Sequence, residues 1–352
     1  MDLPISKMIT FGILPSRLKI WLYRWKGAKI GKGVSIGLGS IIVSPDIEIG
    51  DETIIGPLTV INVRKLHLGK RVKIGSLNVI KTGKVSIDDD TKIAEQVIIG
   101  GMETPQSSIT IGKRCEIFQF AFINPALPII IEDEVGIGGS SYIFTHGVWQ
   151  PVLEGFPMQY GPVTLRKGVW LPWRVFILPN VEIGEYATIG AASVVTKNIP
   201  PRSLAVGSPA KVIKTGDEYI HPKTLDEQHM FMQGILKEFG EWLTYNYYTV
   251  AHNPVAEGVF LVASWKQEGL FQSRVDRWRV LYKKSVSSPE SVANADIVIS
   301  LSAIPEEAIK RISQSKLNWF DITNHTCSKP TNPVSKEFKE YMGRYGTYFE
   351  IS

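Results

Sequence analysis

The sequence of 352 residues predicts a parallel β-helix followed by a smaller α/β domain. Three observations support this architecture: aliphatic residues recur every six positions, the repeat has a longer period of 18 to 19 residues, and helical patterning replaces it near Asp217. A strand and a corner every six residues, with three such steps closing one coil, are typical of hexapeptide β-helices. Coils of this kind stack about 4.8 Å apart, as hydrogen-bonded strands do.

The aliphatic residues that open each six-residue step define the predicted interior. They are Ile30, Ile49, Leu68 and Ile87, which lie 19 apart, and Leu165, Leu171, Ile177, Ile183, Ile189 and Val195, which lie six apart. We expect the first position of a step to point inward and the second, often glycine, to allow the corner conformation. The small fifth position also packs inward. Cys115 falls on a fifth position and is predicted to be a core residue rather than a nucleophile.

The β-helix is predicted over residues 27–215, after an N-terminal helical segment at residues 1–26. This segment lacks the apolar core and cleavage site of a signal peptide. Its basic and aromatic stretch from Leu18 to Trp25 predicts a short helix that caps the β-helix, and peripheral contact with a membrane surface is the alternative. No apolar run reaches the roughly 20 residues that a membrane span needs.

Residues 216–352 are predicted to form the α/β domain. Thr224 and Glu227 have the spacing of a capping box, and apolar residues at helical spacing follow. The runs "GVFLVAS" and "ADIVISLS" predict buried strands, and "IPEEAIKRIS" predicts a helix. The domain carries no motif that indicates a chemistry. Binding of a long glycan, tethering to an assembly complex and reinforcement of an oligomer stay open as roles.

Composition and charge exclude several classes of protein. The net charge of +5 is mild, so we expect no nucleic-acid partner. Two cysteines in the whole chain give no disulfide framework and fit a reducing, cytoplasmic compartment. The β-helix holds two histidines, His67 and His146, several coils apart. A zinc site needs about three clustered ligands, so no metal is predicted.

Two insertions, "GGMETPQSS" and "THGVWQPVLEGFPMQYGP", interrupt the repeat where binding groups tend to lie. His146 opens the second insertion at an outward-facing fourth position. It is a candidate general base because imidazole is a free base at neutral pH; an ordinary exposed histidine is the alternative. Asn124 is predicted to lie one coil below, beneath Phe144. Glu154 is a candidate to orient the imidazole.

The stretch "GVWLPWRVFILPNVEIGEYATIGAASVVTKNIPPRSLAVGSPAKVIK", residues 168–214, resembles the closing coils of hexapeptide-repeat acyltransferases, in particular bacterial sugar O-acetyltransferases. Upstream, "NPALPIIIEDEVGIGGSSYIFTH" is similar to the coils that carry the family's asparagine and then histidine. The resemblance covers roughly residues 20–214. It implies a left-handed β-helix, a homotrimer with each active site between two subunits, acetyl-CoA as the co-substrate, and no metal.

The same resemblance implies roles for individual residues. His146 matches the catalytic base and Asn124 a substrate-binding position. The acetyl-CoA arm would follow backbone groups around Ala191 to Ser193, and lysines near the exit loop would meet its phosphates, which favour clustered cations. Simple solvation of each lysine is the alternative. The predicted cofactor-binding residues are Trp170, Ala191, Ala192, Ser193, Lys197, Gly207, Pro209 and Lys211.

The chain also departs from the family pattern. Leucine and proline follow Trp170 where isoleucine and glycine are usual, and Asn180 and Ala192 replace glycines, the latter narrowing the expected pantetheine channel. The loop after the histidine is longer and aromatic. Trp149, Glu154 and Tyr160 in this loop are therefore predicted to bind the acceptor, since aromatic faces stack on sugar rings. Packing of the loop on its own scaffold is the alternative.

The sequence thus predicts an O-acetyltransferase that acts on a sugar hydroxyl of a surface glycan, of capsule or lipopolysaccharide type, or its precursor. Transfer would be direct, because no cysteine or serine is paired with a base to form an acyl-enzyme. An N-acetyltransferase of an amino sugar or sugar nucleotide is one alternative. A non-catalytic β-helix scaffold or binding protein is the other, and it predicts no binding of acetyl-CoA.

Overall fold

A computed structural model describes residues 6, 8–255, 258–268, 273–286, 292, 295–314 and 317–352. Residues 1–5 and 7 of the predicted N-terminal helical segment lie outside the described residues. The chain divides into two compact units, Met1–His221 and Pro222–Ser352. Among the described residues, no helix combines the length and the apolar character needed to cross a membrane.

The first unit is a parallel β-helix with three faces. The first and second faces belong to one 14-stranded sheet, because two long strands, β6 (Val60–Leu68) and β8 (Val79–Ile87), run through the corner between them. The other strands of the first face are β3 (Ile41–Val43), β10 (Ile98–Gly100), β13 (Phe122–Asn124), β16 (Tyr142–Phe144), β21 (Phe176–Ile177) and β24 (Val194–Val195). The other strands of the second face are β1 (Lys29–Ile30), β4 (Ile47–Ile49), β11 (Ser108–Ile111), β14 (Ile129–Ile131), β19 (Val163–Leu165) and β22 (Glu182–Ile183).

The third face is a separate ten-stranded sheet that is parallel except for its last pair. Its strands are β2 (Ser35–Ile36), β5 (Ile54–Ile55), β7 (Lys73–Ile74), β9 (Lys92–Ile93), β12 (Glu116–Ile117), β15 (Gly136–Ile137), β20 (Trp170–Leu171), β23 (Thr188–Ile189), β25 (Ser203–Gly207) and β26 (Ala210–Thr215). A two-stranded ribbon of β17 (His146–Gly147) and β18 (Gln159–Tyr160) stands outside both sheets. It frames a 3₁₀ turn at Val152–Glu154.

The register of the coils confirms the predicted stacking. Ile111, Ile117 and Ile123 pair with Ile131, Ile137 and Ile143, one residue in each face. These six side chains are buried in one continuous core. Cys115 lies in the same core, and its burial raises the pKa of the thiol to about 12. The prediction that Cys115 is a core residue is therefore confirmed.

The expected reason for the second-position glycines is wrong. The left-handed backbone lies at the fourth position of the step, where the chain carries residues such as Leu58 (φ 56°) and Phe120 (φ 62°). Glycine at the second position is required by the close approach of the next coil. A Cβ on Gly37 would lie 2.4 Å from the nitrogen of Pro57, and one on Gly50 would lie 2.5 Å from the carbonyl carbon of Gly69.

The corner between the first and second faces, which we call the wide corner, differs from the other two. The other corners take six residues in every coil, whereas Ile61 to Leu68 and Ile80 to Ile87 each take seven. The next three coils lengthen the wide corner, up to the 22 residues from Ile143 to Leu165, and the coil above them shortens it to six, from Ile177 to Ile183. Its fourth positions also lack the left-handed φ through six coils, until Asn180 restores it (φ 63°). Both insertions leave the β-helix at this corner.

A helix, α1 (Ser16–Trp25), lies against the first coil and follows a π-helical turn at Met8–Gly12. Its Lys19 is fully buried, and the ammonium donates hydrogen bonds to the carbonyls of Gly12, Gly37 and Ser40. Burial lowers the pKa of Lys19. One turn further on, the Tyr23 hydroxyl donates to the carbonyl of Ile42 at 3.0 Å and accepts from its N–H at 2.7 Å. These bonds fix which face of α1 points away from the coil.

The second unit contains a seven-stranded mixed sheet in sequential order, β27 to β33. Its strands are β27 (Thr249–Val255), β28 (Gly258–Glu268), β29 (Ser273–Lys283), β30 (Ile297–Ser300), β31 (Asn318–Asp321), β32 (Thr326–Cys327) and β33 (Glu350–Ile351), and its helices are α2 (Leu225–Tyr245), α3 (Glu306–Gln314) and α4 (Pro333–Met342). Short 3₁₀ turns lie at Gly216–Glu218, in the first unit, and Gly343–Tyr345. The capping box of Thr224 and Glu227 starts α2, as predicted.

Candidate active site

His146 lies at the wide corner, two residues after the end of β16. It opens β17, which pairs antiparallel with β18, so that His146 lies opposite Tyr160. The N–H of Gly161 also donates to the carbonyl of Thr145 at 3.1 Å. The long insertion therefore leaves and re-enters the coil through a hydrogen-bonded ribbon, and this ribbon fixes the backbone of His146.

The imidazole of His146 is half-buried, and its ring stacks on Tyr160 with 6.0 Å between the ring centroids. Its Nδ1 atom is buried and has no hydrogen-bond partner among the residues that the structure describes. Burial lowers the pKa of His146 below its ordinary value of 6.5. At neutral pH the ring is therefore an uncharged base, which is the form that accepts a proton from a hydroxyl.

Asn124 lies one coil below His146, paired with Phe144 as predicted. Its side chain is only 6% exposed, and its Oδ1 atom has no hydrogen-bond partner in the described part of the chain. Thr145 connects the two coils: its hydroxyl donates to the carbonyl of Asn124 at 2.9 Å and accepts from the N–H of Leu127 at 3.0 Å. Asn124 and His146 thus each leave one buried polar atom for an external partner, in adjacent coils.

Gly101 makes room for the Asn124 amide. The backbone of Gly101 has φ +141°, and a Cβ there would lie 2.4 Å from Asn124 Nδ2. The neighbouring Met102 accepts a hydrogen bond from the Tyr160 hydroxyl, with 3.6 Å between oxygen and sulfur. The shorter insertion therefore supports both Asn124 and the ribbon. The pair of glycines in "GGMETPQSS" is the signal in the sequence from which this contact could have been predicted.

We expect Gly101→Ala to weaken acceptor binding and to lower stability. The new methyl group would displace the Asn124 amide, and a backbone strained in this way costs about 1–3 kcal/mol. The KM for the acceptor should rise, while the KM for acetyl-CoA should stay near the wild-type value. Gly147→Ala is the matched control, because a Cβ there meets no atom within 4 Å. Equal behaviour of the two variants would contradict the role of Gly101.

The three predicted acceptor-binding residues differ in whether they contact His146. Tyr160 contacts His146, as described above. Trp149 is 94% exposed, and no hydrogen bond or ion pair joins Glu154 to His146. Within the single chain, therefore, the described part of the structure contains no group that orients the imidazole through Nδ1. The roles of Trp149 and Glu154 stay predictions.

The predicted cofactor segment Ala191–Ser193 precedes β24, which lies two coils above β16 in the first face. The backbone of Ala192 is left-handed (φ 57°), so its methyl group stands at a corner of the coil in a conformation that favours glycine. The Ser193 hydroxyl is buried and accepts a hydrogen bond from the N–H of Gly207 at 2.9 Å. This bond ties the segment to the exit hairpin.

The remaining predicted cofactor residues lie on the surface. Gly207 and Pro209 flank the turn between β25 and β26, which contains a cis peptide bond before the proline. Lys197 and Lys211 are exposed and have no acidic partner among the described residues. Trp170 is partly exposed, and its ring packs over Gly136, where a Cβ would lie 2.4 Å away. The structure thus ties Ser193 to Gly207 and leaves the two lysines unpaired.

An aromatic column beside the candidate base was not predicted. Phe122, Tyr142 and Phe176 follow one another in successive strands of the first face. The Tyr142 and Phe176 rings stack at 4.6 Å, and Phe144 packs at 5.8 Å from Phe122. These half-exposed rings form a rigid apolar surface on the strands that end at Asn124 and Phe144 and on the strand above them. Phe122, Tyr142 and Phe176 share the position just before an inward aliphatic residue, and this is the signal that would have revealed them.

The described residues contain no group of three or more histidine, cysteine, aspartate or glutamate side chains that could hold a metal ion. The arrangement at the wide corner is instead that of a neutral base beside a carboxamide. Such a pair can hold a hydroxyl group and remove its proton without a metal.

The pH dependence of the reaction should reflect this base. Because burial lowers the pKa of His146, kcat/KM measured with an uncharged acceptor should fall only when the pH drops below that lowered value. The acidic limb should therefore have its midpoint below 6.5, whereas an exposed histidine would place it near about 6.5. A midpoint above 6.5 would contradict His146 as the free base.

Comparison with known proteins gives sequence relatives for part of the chain. No family model matches it. A protein of Staphylococcus aureus strain COL, named provisionally as an acetyltransferase, is 47% identical over 75 residues, which are 21% of this chain and 37% of that protein. The galactoside O-acetyltransferase of Escherichia coli K12 is 32% identical over 118 residues, 31% of this chain and 58% of that enzyme. The chain thus spans between about a third and three fifths of these relatives.

Solved structures with similarity to the chain include two acetyltransferases. The polySia-specific acetyltransferase NeuO is 17% identical, with 60% of this chain and 97% of that chain covered and a TM-score of 0.35. A galactoside acetyltransferase in complex with coenzyme A is 32% identical, with 33% of this chain and 60% of that chain covered and a TM-score of 0.29. The relatives and the hexapeptide coils confirm the resemblance that the sequence indicated: the β-helix of this chain is related to the hexapeptide-repeat acetyltransferases.

Proposed function

We propose that the protein is an O-acetyltransferase that moves an acetyl group from acetyl-CoA to a sugar hydroxyl. The observation that carries this proposal is the half-buried His146 with a lowered pKa, one coil above the buried carboxamide of Asn124. The relatedness to a galactoside O-acetyltransferase supports a sugar as the acceptor. The acceptor class in this proposal is a bacterial surface glycan, of capsule or lipopolysaccharide type, or its precursor, which places the protein in polysaccharide biosynthesis.

The proposed reaction needs one base and no covalent intermediate. Nε2 of His146 accepts the proton of the sugar hydroxyl while the oxygen attacks the thioester carbonyl. Backbone N–H groups stabilise the charge on the carbonyl oxygen. The carbon–sulfur bond then breaks, and the leaving thiolate takes the proton from the imidazolium. Cys115 is not an alternative nucleophile, because it is buried and its pKa is about 12.

In the proposal, a second set of residues binds acetyl-CoA, which is an extended thioester with phosphate groups at its nucleotide end. In the proposal, the corner at Ala191–Ser193 lies beside the pantetheine arm, on the same face as β16 and two coils above it. Trp170 packs near the arm. The unpaired Lys197 and Lys211 and the turn of Gly207 and Pro209 meet the phosphates, which attract clustered ammonium groups. The methyl group of Ala192 makes this channel narrower than a glycine would.

A homotrimer of left-handed β-helices completes the proposal. The insertion exposes six large hydrophobic side chains, of which Trp149 and Leu153 are the most exposed in the single chain, at 94% and 103%. Several exposed apolar side chains on one insertion support a contact surface, because large apolar patches mark such surfaces. A neighbouring subunit that covers them would also bring its own groups to the buried Nδ1 of His146. A cytoplasmic location belongs to the same proposal and agrees with two free, buried cysteines.

The test is acetyl-CoA turnover, followed by release of the free thiol, with a panel of hydroxyl sugars and amino sugars. O-transfer predicts thiol release with hydroxyl sugars and a product that mild alkali hydrolyses. A product that resists alkali would indicate N-transfer to an amine. If no acceptor gives turnover and calorimetry detects no binding of acetyl-CoA, the protein is a scaffold rather than an enzyme.

A further inference from the structure

Helix α1 exposes an aromatic face that the function proposed above does not use. Leu18, Trp21 and Trp25 lie at helical spacing of three and four residues, so they share one side of the helix. Trp21 is 60% and Trp25 is 75% exposed. The opposite side is held by Lys19 and Tyr23, which are buried against the first coil. The aromatic side therefore has a fixed direction, away from the β-helix core.

Basic residues border this face. On a helical projection Arg17 and Arg24 lie on one side of the two tryptophans and Lys26 on the other. Arg24 donates only to the carbonyls of Ile30 and Gly31, so its charge is not neutralised. Arg17 and Lys26 have no acidic partner among the described residues. In the sequence, residues 6–45 contain seven lysines and arginines and no aspartate or glutamate.

Two more lysines lie near this face, but acidic residues of the next coil lie beside them. Lys29 pairs in register with Glu48, and the backbone N–H of Lys32 donates to the Asp51 carboxylate. We therefore leave Lys29 and Lys32 out of the basic border. The three remaining bordering cations on α1 face no carboxylate of the described chain. The face thus combines two large indole rings with a local excess of positive charge. We call Leu18, Trp21 and Trp25, together with Arg17, Arg24 and Lys26, the N-terminal patch.

We propose that the N-terminal patch binds the surface of an anionic phospholipid membrane. Indole rings prefer the boundary between headgroups and acyl chains, where one edge is apolar and the N–H is hydrated. Bordering lysines and arginines attract anionic headgroups, and each contributes roughly fivefold to the binding constant. Neither signal alone gives firm attachment, whereas an apolar face with a basic border does.

A membrane is favoured over a second copy of the chain as the occupant. Two identical patches facing each other would bring like charges together, which opposes association. An anionic lipid surface complements the same charges. In the membrane-bound state the β-helix would stand on the bilayer through its N-terminal coil, and acceptors carried on a lipid would be concentrated beside the enzyme.

The experiment is co-sedimentation of the full chain with vesicles of phosphatidylcholine alone and of phosphatidylcholine mixed with phosphatidylglycerol. We expect binding to the anionic vesicles that weakens as salt is added. The variant Trp21→Ser/Trp25→Ser should lose at least about tenfold in affinity, because most of the buried apolar area is removed. The matched control is Tyr245→Ser/Tyr247→Asn, which removes two exposed aromatic rings of the second unit.

Arg17→Gln/Lys26→Gln should weaken binding to the anionic vesicles and make it less sensitive to salt. Equal binding of wild type and the tryptophan variant, or no binding of wild type, would overturn the proposal. A change in sedimentation mass of the tryptophan variant, without vesicle binding by the wild type, would identify a second copy as the occupant instead. Turnover of a water-soluble acceptor should be the same in all these variants. A failure of vesicle binding is therefore distinguishable from a failure of the proposed acetyl transfer.

Discussion

His146→Ala is expected to lower kcat by about 10²–10⁴-fold, the range that a positioned general base contributes. The variant keeps the coil, because the His146 side chain makes no hydrogen bond with the residues that the structure describes and its backbone is held by pairing with Tyr160. The affinity for acetyl-CoA should therefore remain near the wild-type value. Thiol release and calorimetric binding, measured on the same preparation, separate loss of chemistry from loss of binding.

The matched control is His67→Ala. His67 is the other histidine of the β-helix, and it lies on the second face, 3.5 Å from a carboxylate oxygen of Glu48. Its removal should leave kcat unchanged. If His146→Ala retained wild-type turnover, or if His67→Ala lost as much activity, His146 would not be the base. In the variant the acidic limb of the pH profile, which reports the imidazole, should also disappear.

Lys19→Met is expected to lower the free energy of unfolding by roughly 1–3 kcal/mol. The change removes a buried ammonium that donates to three carbonyls, of which those of Gly12 and Gly37 retain a second donor. Each buried carbonyl left without a partner costs about 1–3 kcal/mol. The loss is partly offset, because burying the ammonium itself is unfavourable. Urea unfolding of wild type and variant measures the difference.

The control for this change is Lys26→Met, because Lys26 is exposed and directly follows the same helix. A further test uses pH. Burial lowers the pKa of Lys19, so between that value and 10.5 the unfolded chain binds more protons than the folded chain. In this window the stability of wild type should rise with pH relative to Lys19→Met. Equal stability of the two variants would show that the Ser40 carbonyl finds another donor when Lys19 is removed.

The β-helix was predictable because its core is built from one repeated feature of the sequence, an aliphatic residue at the first position of each six-residue step. The pairing of Ile123 with Ile143, and therefore of Asn124 with Phe144, follows from counting along the chain. Cys115 was assigned to the core by the same count. The role of the second-position glycines was missed because contact with the next coil, at Gly37 and Pro57 for example, is not visible in a local pattern.

The details of the candidate site were less predictable. The sequence places Glu154 near His146 along the chain, but the ribbon of β17 and β18 brings Tyr160 to the imidazole instead. The path of an 18-residue insertion depends on contacts such as Tyr160 with Met102, between segments 58 residues apart. The 19-residue period did indicate where the site would lie. Three six-residue steps account for 18 residues, and the extra residue lies in the wide corner, which carries His146.

The wide corner has a consequence for how such a protein can diversify. The other two corners need a left-handed residue and a fixed length in each coil, so an insertion there would shift every later pairing. At the wide corner the length already varies without a change in register, from six residues between Ile177 and Ile183 to 22 between Ile143 and Leu165. By loop-closure entropy, that growth costs only about 1 kcal/mol. Segments exchanged between Gly147 and Gln159 leave His146 and Tyr160 in place. The scaffold should therefore tolerate them, which makes this corner the natural place to graft a new acceptor preference onto unchanged coils.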